Sequence, residues 1–285
     1  MKKDTKAAVL FISGQSNATA HQQFLAEEDR VYEPMKNVFS LDRDPNQSLD
    51  IEDVVWSGWT SGGKNLGESQ DHTASLAYFV AKKWQAAIDA GKDLPDLYIV
   101  QLSIGSQGII NGMWNRDKEP IIKPGILGEA DISLLPLALH IQPLALENLR
   151  KSGKNPEVIG WHWLGCEQEV WHEAYHRDDF KERYDYHFDV MRNSMGGDIP
   201  IYLYKTVVRG GLERFKLPLE AEDIINEEIV RQAERLGADL IDVRESPYWD
   251  ASDNLYYGVL ASDRAHYVPK VQEWFADKFM GEILK

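Results

Sequence analysis

The chain has 285 residues, of which 46 are acidic and 31 are basic, so its formal net charge is −15. Nucleic acids and anionic membranes repel such a chain, and the composition argues against both kinds of partner. The hydrophobic fraction of 43% and the charged fraction of 27% are typical of a globular protein. The single cysteine, Cys166, excludes an internal disulfide and a cysteine-built zinc site.

The N-terminal apolar run, residues 7–12, follows the basic start Met1-Lys2-Lys3-Asp4-Thr5-Lys6. It is short for a signal-peptide core, and it leads directly into a turn, so we interpret it as a first strand. No apolar stretch reaches the 18 residues of a membrane span. The lack of a signal predicts a cytoplasmic protein, although action outside the cell by a released or phage-borne enzyme stays open. Nothing in the sequence indicates an oligomer.

Short apolar runs alternate with amphipathic stretches along the whole chain. Runs rich in β-branched or aromatic residues predict five strands, at residues 9–12, 97–102, 158–163, 199–204 and 240–243. Helical spacing predicts helices at residues 75–90, 137–151, 178–194, 219–236 and 268–284, with Pro143 expected to kink or break the second. This alternation predicts an α/β fold with a mostly parallel sheet covered on both faces.

Two long stretches, residues 22–68 and 108–132, are polar and contain Gly, Pro and Trp. Loops of this length on an α/β scaffold usually shape a site. No repeat, linker or change of composition divides the chain, so we expect a single domain over residues 1–285.

A serine follows the first predicted strand in the sequence Phe11-Ile12-Ser13-Gly14-Gln15-Ser16-Asn17. Open α/β sheets bind ligands at the carboxyl ends of their strands, so the position suits a nucleophile. The backbone N–H of Ser16 could also help to hold an oxyanion. The competing interpretation is that Ser16 only caps a helix, because serine is a preferred N-cap.

An aspartate precedes a histidine by three residues in Ala261-Ser262-Asp263-Arg264-Ala265-His266-Tyr267, just before the last predicted helix. A serine hydroxyl needs a base to accept its proton and a third group to orient that base. His266 and Asp263 can fill these roles if their loop reaches Ser16. The alternative is a solvated loop in which the two residues have no common role.

Together, Gly14-Gln15-Ser16-Asn17 and Asp263-x-x-His266 resemble motifs of the SGNH/GDSL hydrolases. More narrowly, they are similar to the sialate O-acetylesterase and acetylxylan esterase branch (carbohydrate esterase family 6-like), whose first block reads G-Q-S-N. The resemblance implies a three-layer α/β/α sandwich of flavodoxin-like type with about five parallel strands. It also implies a serine esterase that removes O-acetyl groups from a carbohydrate and needs no metal or organic cofactor.

The resemblance carries residue roles with it. Ser16, His266 and Asp263 would be nucleophile, base and orienting acid. The oxyanion would be held by the N–H groups of Ser16 and of a second-block residue, either Ser75 or Thr73, with Gly105 in Leu102-Ser103-Ile104-Gly105-Ser106-Gln107-Gly108 as a further candidate. The acetylated carbohydrate is the expected partner, and its candidate contacts are Gln15, Asn17, Gln107, Glu167, Gln168, Trp114 and Trp171.

One departure concerns the segment Trp163-Leu164-Gly165-Cys166-Glu167-Gln168-Glu169, which stands where the branch has W-x-Q-G-E-S-D. Gly165 occupies the position of the glutamine whose side chain would donate to the oxyanion. Losing one such donor costs a factor of about 10²–10³ in turnover. A non-catalytic carbohydrate-binding module on an eroded hydrolase scaffold is therefore an alternative.

A second motif competes in the following segment. Trp171-His172-Glu173-Ala174-Tyr175-His176 contains H-E-x-x-H, which on one helix would present His172 and His176 to a zinc ion with Glu173 as base. The charged residues that follow argue against a buried metalloprotease helix. A zinc hydrolase is nevertheless the second alternative.

Overall fold

All five apolar runs lie in one sheet, which also contains two strands that the sequence did not indicate. A computed structural model describes residues 5–19, 35–41, 59–62, 75–117, 133–252 and 258–285. Within these ranges the strands are β1 (Thr5–Gly14), β2 (Met35–Leu41), β3 (Trp59–Gly62), β4 (Asp96–Ser103), β5 (Lys154–Leu164), β6 (Ile201–Tyr204) and β7 (Asp239–Ile241).

The described strands pair in the order β3-β2-β4-β1-β5-β6-β7. All neighbours are parallel except β3, which runs antiparallel to β2 at the edge. The sheet therefore has six parallel strands where we expected about five. The five predicted strands alone follow the flavodoxin-like order 2-1-3-4-5. The additional pair, β2 and β3, extends the sheet beyond β4.

The helices in the described ranges are α1 (Ser16–Thr19), α2 (Leu76–Asp89), α3 (Leu134–Lys151), α4 (Glu167–Trp171), α5 (Phe180–Ser194), α6 (Arg209–Phe215), α7 (Glu220–Leu236) and α8 (Pro269–Ile283). Two 3₁₀ turns lie at Ala174–His176 and Val243–Glu245. The five predicted helices all form, and α3 runs through Pro143 without ending. None of the helices among these residues is both long and apolar enough to cross a membrane.

The central strand β1 is buried on both faces and separates two apolar cores. Ala7, Val9 and Phe11 face one core, which α3, α5 and α7 cover. The alternate residues of β1 face the other core, which α2 and α8 cover. Since successive strand side chains point to opposite faces, a continuous apolar run is what such a central strand requires. The fold is a three-layer α/β/α sandwich.

Strands β1, β4 and β5 end at the same level, because Gly14 is in register with both Ser103 and Leu164. After β1 the chain forms β2, β3 and β4 on one side of this strand, and it later forms β5 on the other side. This change of direction is the topological switch point of the sheet, where open α/β folds form their ligand crevice. The loops after β1, β4 and β5 therefore define the edge at which a site is expected.

Candidate active site

The turn after β1 is fixed to the end of β5 by close backbone packing. Gly14 has a φ of +140°, and a Cβ there would overlap the carbonyl oxygen of Leu164, so only glycine fits. The N–H of Gln15 donates to the same carbonyl at 3.0 Å. The chain then enters α1, the first residue of which is Ser16. Its side chain stands at the carboxyl edge of the central strand, and it is 9% exposed.

Asn17 joins this turn to the C-terminal loop. Its Nδ2 donates to Ala265 O at 3.2 Å, and its Oδ1 accepts from Tyr267 N at 2.9 Å. These two backbone groups flank His266 on either side in the chain. Gln272 of α8 adds a third link, since its Nε2 donates to Asn17 O at 2.7 Å. The residue next to Ser16 is therefore bonded to both chain neighbours of His266.

Asp263 and His266 form an ordered pair within their loop. His266 Nδ1 lies 2.6 Å from Asp263 Oδ2, and Asp263 Oδ1 accepts from the N–H groups of Ala265 and His266 at 3.0 and 3.1 Å. Partial burial opposes ionisation of Asp263. The hydrogen bond to His266 and those from the two N–H groups outweigh it and lower the pKa of Asp263 to about 2. The carboxylate is thus charged at neutral pH and is bonded to Nδ1 of His266.

The segment after β4 brings Gly105 next to Ser16. A Cβ built on Gly105 would lie 3.7 Å from Ser16 Cβ, so the backbone of Gly105 runs beside the serine side chain. Gln107 holds this segment in shape, because its Oε1 accepts from Met113 N at 3.1 Å and its Nε2 donates to Gly105 O at 3.3 Å.

Ser75, the other candidate oxyanion residue, is the N-cap of α2, and its Oγ accepts from Tyr78 N at 3.1 Å. The alternative second-block residue, Thr73, lies outside the described residues. The oxyanion role of Ser75 stays a prediction.

Backbone strain is concentrated in the three loops at this edge. Among the described residues, non-glycine positions with left-handed φ include Ser106 at 59°, Cys166 at 90° and Arg264 at 64°. Ser106 follows Gly105, Cys166 directly precedes Glu167, and Arg264 lies in the loop that carries His266. Left-handed conformations of such residues cost about 1–3 kcal/mol each and cluster where a site over-determines the backbone.

Glu167 lies beneath Asn17 and completes its hydrogen bonding. Its Oε1 accepts from Asn17 Nδ2 at 2.7 Å, while burial raises the pKa of Glu167 against the lowering effect of this bond. Gln15 approaches the same helix, since its Oε1 accepts from Gln168 N at 3.4 Å. These contacts join the turn that contains Ser16 to α4.

Six of the seven candidate substrate contacts are buried, with exposed fractions of 0–5%: Gln15, Asn17, Gln107, Trp114, Glu167 and Gln168. Trp114, one of the candidate contacts, does not offer its ring to a sugar. Its ring is fully buried, Nε1 donates to Gly14 O at 3.0 Å, and the ring packs edge-on against Trp163 and His187. Trp114 supports the turn at Ser16 from inside the core.

Trp171 differs from these six because it is half-buried. Its ring packs edge-on against Phe215 at 5.8 Å, and Phe215 is 61% exposed. A Cβ on Gly211 would overlap the Trp171 ring and would lie 3.2 Å from Arg264 O. Trp171 therefore lies against α6, close to the loop that carries His266.

Gly165 stands where the resemblance expects a glutamine, and the surroundings suit a glycine. A Cβ there would lie 3.2 Å from the Trp163 ring, and Gly165 O accepts from Thr206 Oγ1 at 3.2 Å. No side-chain donor to an oxyanion can come from this position.

The H-E-x-x-H motif does not form the helix that zinc binding would need. Helix α4 ends at Trp171, Glu173 has a left-handed φ of 47°, and Ala174–His176 is a separate 3₁₀ turn. His172 and His176 are both exposed, and His176 Nε2 pairs with Glu173 Oε2 at 3.2 Å. Among the described residues no group of three or more His, Cys, Asp or Glu could hold a metal ion.

Sequence reasoning assigned no role to Glu169, which is fully buried in α4, the helix that follows β5. Its Oε1 accepts from Ile110 N at 3.0 Å, so it joins α4 to the segment that carries Gly105. The available signal was an acid within an otherwise buried segment after a strand, at the last position of the block W-x-Q-G-E-S-D.

No protein-family model and no curated protein matches this sequence. Solved structures do match in fold. NanS has 16% identity and a TM-score of 0.62, and the alignment covers 100% of this chain and 98% of NanS. A GDSL-like lipase, so described, from Parabacteroides merdae has 13% identity, a TM-score of 0.52 and coverages of 98% and 96%. This chain has the fold of the SGNH/GDSL hydrolases.

A third match is a carbohydrate acetylesterase from Xanthomonas citri, with 16% identity and a TM-score of 0.51. The alignment covers 94% of this chain and 55% of that protein.

Proposed function

We propose that the protein is a serine esterase that removes O-acetyl groups from a carbohydrate. The observation that carries the proposal is the pair of bonds from Asn17 to the chain neighbours of His266, which links the Ser16 turn to the Asp263–His266 loop. The fold shared with SGNH/GDSL hydrolases supports ester hydrolysis. The acetylesterase among the structural matches supports an acetylated carbohydrate as substrate.

In the proposed reaction, Ser16 Oγ attacks the acetyl carbonyl carbon while His266 Nε2 accepts the hydroxyl proton. Asp263 bonds Nδ1, which fixes the tautomer and stabilises the imidazolium that forms. The tetrahedral intermediate collapses as His266 protonates the leaving sugar oxygen, and an acetyl-serine remains. Water, deprotonated by His266, then attacks this ester, and His266 returns the proton to Ser16 Oγ as acetate leaves.

The negative charge on the tetrahedral oxygen needs donors that are already in place. The N–H of Ser16 and the N–H of Gly105 are the proposed pair, since Gly105 runs beside the serine side chain. With Gly165 in place of a glutamine, we expect no third donor from a side chain there. The proposed hole is therefore built from backbone groups.

The test compares Ser16→Ala with Ser152→Ala, a serine that follows α3 at the opposite edge of the sheet. Both variants and the wild type are assayed on p-nitrophenyl acetate and on an acetylated glycan, with release of acetate as the readout. We expect Ser16→Ala to lose at least about 10³-fold in kcat/KM and Ser152→Ala to match the wild type. Undiminished hydrolysis by Ser16→Ala would end the proposal.

A labelling experiment gives an independent readout. An organophosphonate with a good leaving group should add to Ser16 Oγ, and peptide mass spectrometry should find the adduct on the peptide that contains residues 15–19. Binding of the acetylated glycan without turnover or labelling would instead favour the non-catalytic binding module.

A further inference from the structure

We infer that Glu169 is a positioning residue that holds residues 105–114, here called the 105–114 segment, in the shape that presents Gly105 to Ser16. The inference rests on the proposed function and adds to it a residue that touches neither substrate nor reacting atoms. Two observations carry the inference: the Glu169 carboxyl contacts the middle of the segment, and both ends of the segment contact the turn that contains Ser16.

The carboxyl of Glu169 is built into the middle of the 105–114 segment. Oε1 accepts from Ile110 N at 3.0 Å. A Cβ on Gly108 would overlap the carboxyl, so the backbone passes in direct contact with it. Because Glu169 belongs to α4, which begins directly after the β5 loop, this carboxyl ties the loop after β4 to the loop after β5.

Both ends of the segment reach the Ser16 turn. At one end Gly105 runs beside Ser16 Cβ, and at the other Trp114 Nε1 donates to Gly14 O at 3.0 Å. Between them Trp114 N donates to Gly108 O at 3.2 Å, which closes the segment into a loop. A shift of this loop would move Gly105 relative to Ser16, and misplacement by about 1 Å can cost about 10²-fold in rate.

The surroundings of Glu169 favour its neutral form. Its Oε2 has no hydrogen-bond partner among the described residues, and burial raises the pKa of the carboxyl to about 7. Among the described residues, the charged neighbour that acts on this carboxyl is Glu167, which raises its pKa further. Among the described residues, the titratable and charged groups near α4 and the segment include Cys166, Glu167, Tyr184, His187 and Glu228. Arg183 also lies near the segment, since its Nη1 donates to Asn115 Oδ1 at 2.9 Å.

Two substitutions separate the carboxyl's positioning role from general stability. Glu169→Gln keeps an oxygen for Ile110 N–H and imitates the neutral acid, whereas Glu169→Ala removes the tie. Glu227→Ala, on the exposed side of α7, is the matched control. The assay is hydrolysis of p-nitrophenyl acetate from pH 5 to pH 9, with kcat and KM determined separately for each variant.

We expect Glu169→Ala to lower kcat by about 10–100-fold with little change in KM, and Glu227→Ala to match the wild type. Glu169→Gln should keep kcat within about threefold at pH 6. The wild type should lose kcat above pH 7, as Glu169 ionises in a buried position near the Glu167 carboxyl, and Glu169→Gln should lose less. If Glu169 had a purely structural role, the wild type and Glu169→Gln would have the same pH profile of kcat.

The outcomes distinguish this inference from the proposed function. If the wild type has no Ser16-dependent turnover, the proposed function fails and this inference fails with it. If turnover depends on Ser16 but Glu169→Ala retains wild-type kcat, only the inference is overturned. Should Glu169→Ala fail to fold, the pH profile of Glu169→Gln decides, and a profile identical to that of the wild type overturns the inference.

Discussion

The side-chain oxygen of Asn17 accepts a hydrogen bond from the backbone N–H of Tyr267 at 2.9 Å, across 250 residues of sequence. The same side chain donates to Ala265 O and to Glu167 Oε1. One amide thus satisfies three buried or half-buried groups from two distant loops. Asn17 is 1% exposed, so it acts within the protein and does not contact solvent.

Asn17→Ala should separate these loops. The substitution leaves Tyr267 N–H and the Glu167 carboxyl without a partner, and each orphaned buried group costs about 1–3 kcal/mol. We expect the free energy of unfolding in urea to fall by about 2–4 kcal/mol and esterase activity to fall more than about tenfold. Asn193→Ala, on the exposed end of α5, is the control and should change neither quantity. Wild-type activity in Asn17→Ala would contradict the role given to this link.

Gly14→Ala should be far more damaging than an equivalent change elsewhere. Its Cβ would overlap Leu164 O at a φ of +140°, between the two central strands. Gly153 also has a positive φ, of +80°, but a Cβ there has nothing within 4 Å. We expect Gly153→Ala to cost about 1 kcal/mol and Gly14→Ala to cost at least about 3 kcal/mol, measured by urea unfolding. If the two substitutions cost the same free energy of unfolding, the positive φ would matter at Gly14 and the overlap with Leu164 O would not.

Asp263→Asn should remove catalysis while keeping the loop. The amide oxygen can still accept from Ala265 N–H and His266 N–H, so the backbone turn is retained. The amide N–H₂ would face His266 Nδ1 and favour the wrong tautomer, which costs about 10³–10⁴-fold in kcat in triads of this type. The measurement is kcat on p-nitrophenyl acetate beside a thermal melt. A variant with unchanged kcat would show that Asp263 does not orient the base.

Trp171→Ala should weaken binding of a glycan and leave hydrolysis of a small ester alone. Trp171 lies half-buried next to α6 and the His266 loop, so its indole can contact the sugar part of a substrate and not its acetyl group. We expect KM for an acetylated oligosaccharide to rise about 5–30-fold, for a contact worth about 1–2 kcal/mol, with kcat/KM for p-nitrophenyl acetate unchanged. Trp274→Ala, half-buried on α8 and stacked under Lys278, is the control. A similar KM effect in both variants would remove Trp171 as a sugar contact.

Glu169→Gln should change how stability depends on pH. Burial raises the pKa of the folded-state carboxyl to about 7 from its ordinary value of 4.5. Between these values the unfolded chain loses this proton and the folded protein keeps it, so the wild type loses stability as the pH rises. The loss reaches about 3 kcal/mol above pH 7. Glu169→Gln does not lose this proton. From pH 4 to pH 8 its free energy of unfolding should therefore rise relative to that of the wild type, by up to about 3 kcal/mol. A constant difference would place the pKa of Glu169 near its ordinary value.

The sequence alone determined the central architecture and the residues that could react. The apolar runs that form β1, β4 and β5 are continuous because these strands are buried on both faces, and such runs stand out from their flanks. Strands β2 and β3 escaped detection because neither contains a continuous apolar run: β2 mixes buried with exposed and half-buried residues, and β3 has only four residues. Ser16, Asp263 and His266 could be proposed as nucleophile, orienting acid and base because these roles need chemically distinctive residue types, which stand here in short motifs.

Only the tertiary structure decided which of the candidate side chains are buried supports of the site and which are partly exposed. Trp114 and Trp171 are both tryptophans in segments that follow strands, yet Trp114 is fully buried under Gly14 and Trp171 is half-buried against α6. Likewise, the H-E-x-x-H spacing does not predict the left-handed conformation of Glu173, which prevents His172 and His176 from sharing one helix. Burial and hydrogen-bond partners depend on residues far away in the chain, so local sequence cannot specify them. The links from Asn17 to Tyr267 and from Glu169 to Ile110 exist only once the sheet has brought their loops to one edge.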